Sequence, residues 1–176
     1  SAVVAAALLA GLTSLAAGAP VFEPNVGSED LPPLRREMQP VLELLDGQLA
    51  ALVPDLNGLL FCGCPNCDSG SQEGQMTWLG LKDSDRVRCR FCQTIYPNER
   101  FPENQTLTVL NPRGQRVEYR YFRDKDGKAY FFSAAASYGR KGWLARTTLA
   151  LARRGHRSND PAHTSKAIVL LNAFMG

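Results

Sequence analysis

The chain has 176 residues, which is enough to bury one sizeable hydrophobic core. Its composition is that of an ordinary globular protein, with 44% apolar and 21% charged residues. A net charge of +3 does not by itself indicate a nucleic acid or any other charged partner.

The first nineteen residues have the pattern of a signal peptide, and we predict that 1–19 is one. Residues 2–16 are almost wholly small and apolar, and 17–19 (AGA) fit the site that signal peptidase cleaves. The run is too short and too rich in alanine for a membrane span, so no span is expected in the mature chain. We therefore expect an exported bacterial protein, periplasmic or secreted. A buried helix of alanine and leucine is the alternative.

Residues 20–57 are predicted to form a linker and an N-terminal helical segment. The linker is rich in proline, and a helix is expected from Leu34 to Val53, bent or broken at Pro40. Its apolar face would consist of leucines: Leu42, Leu44, Leu45, Leu49 and Leu52.

Residues 58–101 contain five cysteines and are predicted to form a zinc-ribbon-like module. Two Cys-x-x-Cys knuckles, separated by twenty-one residues, are typical of a four-thiolate zinc site. Between the knuckles, residues 75–81 and 86–88 predict two short strands. We expect a structural Zn2+ to be bound by four ligands: Cys64, Cys67, Cys89 and Cys92.

Cys62 makes the number of cysteines odd. Competition of Cys62 with Cys64 for the metal is the alternative, but the spacing between the two closes a tighter loop than a knuckle does, so we expect a half-buried free thiol. Export favours disulfides, and an iron site shares the same ligands, so both alternatives to zinc stay open. The odd number argues against a framework made of disulfides alone.

Residues 102–132 are predicted to form an extended segment and a β-hairpin, because 117–122 alternate and 124–127 favour a turn. From 133 to 176 the pattern is helical. The first helix would begin at an N-cap, Ser133, and end near Arg154 with Gly155 as C-cap. A second helix would start at Ser158 or Asp160 and complete a helical hairpin. The predicted apolar positions are Ala135, Tyr138, Ala145, Leu149 and Ala152 in the first helix, and Ala167, Ile168, Leu170, Leu171 and Phe174 in the second.

No catalytic set is evident in the sequence. The two histidines, His156 and His163, lie near the predicted turn of the hairpin, where an exposed loop position is expected. From Ala134 onward there are seven basic residues and one acidic residue, for which we expect a solvated face. The substrate-binding residues stay unknown at this stage.

Four stretches of the chain resemble the N-terminal region of heparinase II/III-like proteins of environmental bacteria, over roughly residues 42–176. The stretches are 64–67 (CPNC), 86–102 (RVRCRFCQTIYPNERFP), 111–114 (NPRG) and 130–138 (YFFSAAASY). The resemblance implies an exported polysaccharide lyase that acts by β-elimination on acidic, uronate-containing polysaccharide. The family's catalytic Tyr, His and Asn match no position in this sequence, so the active site is expected beyond this segment.

The predicted fold class is therefore α+β and mainly α: the start of an α/α toroid, with an inserted zinc-ribbon-like β module and a β-hairpin. The chain would be the N-terminal part of a longer protein, inactive by itself. The alternative is a non-enzymatic zinc-ribbon module that binds nucleic acid or protein, which the arginines around the second knuckle allow. Export argues against nucleic acid, so no nucleic-acid partner is expected.

Overall fold

The structure is a computed structural model, and it describes residues 34–56, 58–59, 62–67, 74–111 and 114–176. The predicted signal peptide and nearly all of the predicted linker lie outside these ranges. The described residues form an α+β fold with four α-helices and two small antiparallel sheets, which confirms the predicted class at this level. The helices are α1 (Pro40–Glu43), α2 (Asp46–Ala50), α3 (Phe132–Ser158) and α4 (Pro161–Met175). The strands are β1 (Met76–Trp78), β2 (Val87–Cys89), β3 (Ile95–Tyr96), β4 (Gln105–Leu110), β5 (Arg116–Arg123) and β6 (Ala129–Tyr130).

The N-terminal segment is a short 3-10 helix (Arg36–Met38) followed by α1 and α2, so the prediction of one helix over residues 34–53 is wrong in its continuity. Pro40 occupies the first turn of α1, where its missing N–H is not needed, and the break expected there is present. A second break follows because Leu44 and Leu45 have extended backbones. Leu49 of the predicted apolar face is fully buried, whereas Leu45 is 72% exposed.

The first sheet contains the two strands predicted between the knuckles and a third strand after them, in the order β1-β2-β3. Met76 pairs with Cys89 and Trp78 with Val87, so β1 lies beside the strand that carries a predicted ligand. Val87 pairs in turn with Tyr96 of β3. β2, which ends at the first cysteine of the second knuckle, therefore lies between two antiparallel neighbours.

The second sheet has the order β4-β5-β6 and contains the predicted hairpin. The hairpin joins β5 to β6 through the turn at residues 124–127, where Gly127 adopts a positive φ of 82°. The segment that was expected to be merely extended forms β4, which pairs with β5 over its whole length.

Helices α3 and α4 form the predicted helical hairpin. They pack closely at Gly155, a residue of α3 that has no side chain. A Cβ atom added at Gly155 would lie 2.2 Å from Thr164 Oγ1, so only glycine permits this approach. The start of α4 is as predicted: Asp160 is its N-cap and accepts a hydrogen bond from the Ala162 N–H at 2.9 Å. Pro161 occupies its first turn.

The limits of α3 differ from the prediction at both ends. Ser133 is not the N-cap, because α3 already begins at Phe132. The backbone N–H and the hydroxyl of Ser133 both donate to the Glu103 carboxylate instead. Gly155 is not the C-cap, because the helix continues to Ser158 and ends at Asn159, which has the left-handed backbone of a helix stop. Gly155 serves close helix packing instead.

The buried face of α3 also differs from the prediction. Tyr138 is 46% and Leu149 50% exposed, although both were expected to face the core. Thr147 and Thr148 are buried in their place, because each hydroxyl donates to the carbonyl four residues earlier at 2.9 Å.

Two hydrophobic clusters organise the described residues. One joins the first sheet and the start of α3, and the other joins the N-terminal helices to the α3–α4 hairpin. The buried residues of the first cluster are Cys62, Cys64, Val87, Cys89, Tyr96, Phe101, Tyr130, Phe132, Ala135 and Ala136. Those of the second are Met38, Val41, Leu49, Trp143, Leu144, Leu151, Ala167 and Leu170. Among the described residues no toroid is evident.

Candidate metal centre

The first knuckle is a tight turn that belongs to no helix or strand. Pro65 and Asn66 occupy the turn between Cys64 and Cys67. Proline presets the backbone for such a turn, and asparagine is a common turn residue. The Asn66 backbone N–H donates to the Cys64 sulfur, as expected of a metal-binding knuckle. The turn therefore orients both thiols toward the same point.

The second knuckle begins at the last residue of β2, Cys89. The chain turns back through Gln93, whose φ of 63° is left-handed and whose N–H donates to the Cys89 carbonyl at 2.9 Å. The Gln93 side chain donates to the Arg90 carbonyl at 2.7 Å and fastens the turn. This turn brings Cys92 back beside Cys89.

The two knuckles meet, and the structure brings together the four predicted ligands. Within the described ranges, the sulfurs of Cys64, Cys67, Cys89 and Cys92 form the one cluster of His, Cys, Asp or Glu with metal-ligand spacing. All four atoms lie within 4.8 Å of one another, with 3.5 Å between Cys64 and Cys92 and 3.9 Å between Cys67 and Cys89. Cys64 and Cys89 are buried and the other two are half-buried. This cluster can hold a metal ion.

The exposed side of the cluster is surrounded by polar groups. The Thr94 hydroxyl lies 3.2 Å from the Cys92 sulfur, and the Asn66 amide donates to the same sulfur at 3.8 Å. Asn66 also donates to the Thr94 hydroxyl at 2.9 Å and accepts from Arg100 at 3.1 Å. These contacts tie the first knuckle to the strand that follows the second.

The buried side of the cluster has a close polar contact from a side chain of the sheet. The Tyr96 hydroxyl lies 3.0 Å from the Cys64 sulfur. Tyr96 is fully buried, and its ring stacks on Phe132 at 4.4 Å and contacts Phe101 at 5.5 Å. Sequence reasoning missed this contact, because Tyr96 is thirty-two positions from Cys64 and only the fold joins them.

The two sides differ in thiol acidity. Burial raises the pKa of the Cys64 thiol to about 12. Partial burial also disfavours ionisation of Cys92, but hydrogen bonds from the Thr94 hydroxyl and backbone and from Asn66 outweigh it. They lower the pKa of the Cys92 thiol to about 6. The exposed edge is therefore the side on which a thiolate forms first.

Cys62 lies outside the cluster. It is 5% exposed, more deeply buried than the half-buried thiol that was expected, and its sulfur donates to the Gly63 carbonyl at 3.7 Å. Burial raises the pKa of this thiol to about 12.

The remaining candidate residues are dispersed. Arg86 pairs with Asp83 at 3.2 Å, and Arg140 pairs with Asp85 at 3.3 Å. Arg90 lies over the ring of Phe91, which is 49% exposed. His163 is part-buried in the first turn of α4 rather than on an exposed loop, and its Nδ1 lies 2.6 Å from an Asp160 oxygen.

Comparison of the chain with family models, with curated proteins and with solved structures found no match. None of the described helices combines the length and the apolar character that a membrane span requires.

Proposed function

We propose that the four cysteines bind a structural Zn2+ in a zinc-ribbon-like module. The observation that supports zinc most directly is the meeting of two knuckles with all four sulfurs within 4.8 Å. Four thiolates in a closed site suit zinc, which prefers a tetrahedron of soft ligands and does no redox chemistry. A closed site with four protein ligands leaves no position for substrate, so the role is structural.

The ion would hold the first knuckle in place. Residues 62–67 form no strand or helix, and the Asn66 amide donates to Cys92 of the second knuckle and to Thr94 just after it. A shared ion joins that turn to β2 and β3, which pack against the start of α3. The module would therefore depend on metal for its fold, as small zinc domains do.

The test is metal analysis of the chain purified without added metal, together with a count of free thiols. We expect about one zinc per chain. Cys89→Ser should abolish retention of zinc, whereas the matched control Cys62→Ser should keep it. Two disulfides without metal would overturn the proposal, and so would stoichiometric iron with its visible absorption.

We also propose that this module belongs to an exported heparinase II/III-like polysaccharide lyase, periplasmic or secreted, that acts on uronate-containing acidic polysaccharide by β-elimination. The support is the resemblance of the four sequence stretches, and in that interpretation α3 and α4 are the first helices of an α/α toroid. The described residues contribute structure to this protein, and the chemistry belongs to residues outside the chain.

The lyase proposal is tested on the product of the complete gene. Incubation with heparin, chondroitin sulfate and alginate should produce the ultraviolet absorbance of unsaturated uronates with at least one polymer. The isolated chain should produce none. A complete, zinc-loaded protein that cleaves no uronate polymer would overturn the lyase proposal and leave the zinc proposal intact.

A non-enzymatic binding module is the second candidate, favoured by the exposed side chains around the second knuckle. Arg88, Arg90 and Phe91 are solvent-exposed there, and a basic, aromatic surface suits nucleic acid. A steep salt dependence of binding to single-stranded DNA or RNA, abolished in Arg88→Ala/Arg90→Ala, would support this candidate. Equally weak binding by the wild type and by Arg88→Ala/Arg90→Ala would exclude a nucleic-acid-binding role.

A further inference from the structure

The contact between Tyr96 and Cys64 gains a definite direction once a metal is bound. A cysteine that ligates a metal is a thiolate and has no proton to donate. At 3.0 Å from that sulfur, the buried Tyr96 hydroxyl is then the donor. We propose that Tyr96 is a positioning residue of the metal centre, whose hydroxyl bond to the Cys64 thiolate fixes that ligand and slows release of the metal. This inference rests on the proposed metal site.

Tyr96 is well held for this role. Its ring is stacked on Phe132 with 13° between the planes, and a third ring, Phe101, lies across it. Its backbone pairs with Val87 in the sheet that carries the second knuckle. A hydroxyl on so restricted a ring loses little further freedom when it binds the sulfur. The donor is therefore preorganised.

The charge of the site explains why such a donor matters. Four thiolates around a divalent cation leave a net charge of about −2, and a buried negative charge is costly without hydrogen bonds. On the exposed side, Asn66 and Thr94 supply polar contacts to Cys92. On the buried side, the Tyr96 hydroxyl lies 3.0 Å from the Cys64 sulfur.

The Thr94 side chain also forms a hydrogen bond with Tyr96. The Tyr96 hydroxyl thus contacts the Cys64 sulfur, and the Thr94 hydroxyl contacts the Cys92 sulfur. Because Asn66 donates to Thr94 at 2.9 Å, the Thr94 proton is free to point at Cys92 while the Tyr96 proton points at Cys64.

The test compares Tyr96→Phe with the wild type, using Tyr119→Phe as the matched control. Tyr119 lies on β5 of the second sheet, and its ring contacts Phe131. Outer contacts of this kind change metal affinity by roughly 10- to 100-fold, so we expect Zn2+ to leave Tyr96→Phe at least about tenfold faster in the presence of a chelator. The cobalt-substituted variant should show a shifted sulfur-to-metal charge-transfer band, whereas Tyr119→Phe should match the wild type in both measurements.

A second measurement covers the case in which Tyr96→Phe does not fold. In the cadmium-substituted wild-type protein, the Tyr96 hydroxyl proton should exchange slowly with water and couple to cadmium through the sulfur. Rapid exchange without coupling would overturn the inference, as would a folded Tyr96→Phe with unchanged release and spectrum. A wild type that takes up neither zinc nor cobalt would instead refute the metal site itself, so the two failures are distinguishable.

Discussion

Trp78 of β1 lies directly against Gly139 of α3: a Cβ atom added at Gly139 would be 2.5 Å from the Trp78 Cβ. The indole is fixed in this position, because its Nε1 donates to the Ser84 carbonyl at 2.7 Å and its ring contacts Trp143 at 5.7 Å. Through this contact the first sheet packs against α3. It requires a glycine in the middle of a helix, where glycine is otherwise unfavourable.

Gly139→Ala should therefore destabilise the protein, although alanine is the better helix former. The added methyl group displaces Trp78, and such overpacking costs about 1–3 kcal/mol. Gly142→Ala is the control in the same helix, because its Cβ meets only the end of the Arg146 side chain at 3.5 Å. It should be neutral or stabilising by up to about 1 kcal/mol. Urea unfolding of both variants in the same metal state measures the difference, and equal effects would contradict the packing argument.

Leu144 and Leu149 are both leucines of α3, and the structure predicts opposite results for them. Leu144 is fully buried against the N-terminal helices and α4, whereas Leu149 is half exposed. Leu144→Ala should cost about 2–5 kcal/mol of unfolding free energy, because it leaves a cavity. Leu149→Ala should change it by less than about 0.5 kcal/mol. A larger loss of unfolding free energy for Leu149→Ala than for Leu144→Ala would mean that the buried face of α3 is the one that the sequence pattern predicted.

That helix face shows where sequence reasoning is weakest. The pattern of α3 contains apolar residues all round, so periodicity alone favoured Leu149, while the real interior includes Thr147 and Thr148. Buried threonines are not predicted by an apolar stripe, because their hydroxyls are satisfied only by the carbonyls of the preceding turn. The short-range signals did better: the turn at Gly127 and the N-cap Asp160 are where the local residues require them.

In the candidate site too, residues with a local sequence signal could be predicted and the others could not. The cluster of four cysteines was predictable because the pattern of each knuckle is contained in four consecutive residues. The roles of Tyr96 and Glu103 were not predictable. Tyr96 contacts Cys64, thirty-two residues away, and Glu103 contacts Ser133, thirty residues away, and only the fold brings these pairs together. Residues that support a site from distant parts of a chain carry no local signal.

Glu103 should make stability depend on pH in a direction opposite to that of an ordinary surface carboxylate. It is buried where it accepts hydrogen bonds from Ser133, and burial raises its pKa above the usual 4.5. A raised pKa means that the folded state holds the proton more tightly than the unfolded state. This carboxyl therefore contributes most below pH 4.5, and its contribution falls as pH rises through the folded-state pKa.

Glu103→Gln removes the titration and keeps an acceptor for the Ser133 N–H. The wild type should lose stability relative to this variant as pH rises from 4.5, and the difference should level off above the raised pKa. Unfolding curves of both proteins in the same metal state measure it. Glu118→Gln on the exposed face of β5 is the control for the loss of a carboxylate as such. A difference that grows in favour of the wild type as pH rises would mean that Glu103 is stabilised as a carboxylate.

Cys92 should be the most reactive thiol of the metal-free protein at neutral pH. It is half-buried rather than buried, and the hydrogen bonds from Thr94 and Asn66 overcome partial burial to hold its pKa at about 6. It is therefore mostly thiolate at pH 7, and its alkylation by iodoacetamide should slow as pH falls through about 6. Cys62 and Cys64 should react far more slowly, because burial raises both of their pKa values to about 12.

Peptide mapping by mass spectrometry after timed alkylation gives the order of reaction. Thr94→Val removes the hydroxyl beside Cys92 and should move the midpoint of its pH profile upward, toward that of an ordinary thiol. Metal should protect Cys92 and leave the slow rate of Cys62 unchanged, because Cys62 lies outside the cluster. If Cys62 were instead protected by metal while Cys64 reacted freely, the ligand set would be Cys62 with Cys67, Cys89 and Cys92, and the knuckle geometry described above would not be that of the bound state.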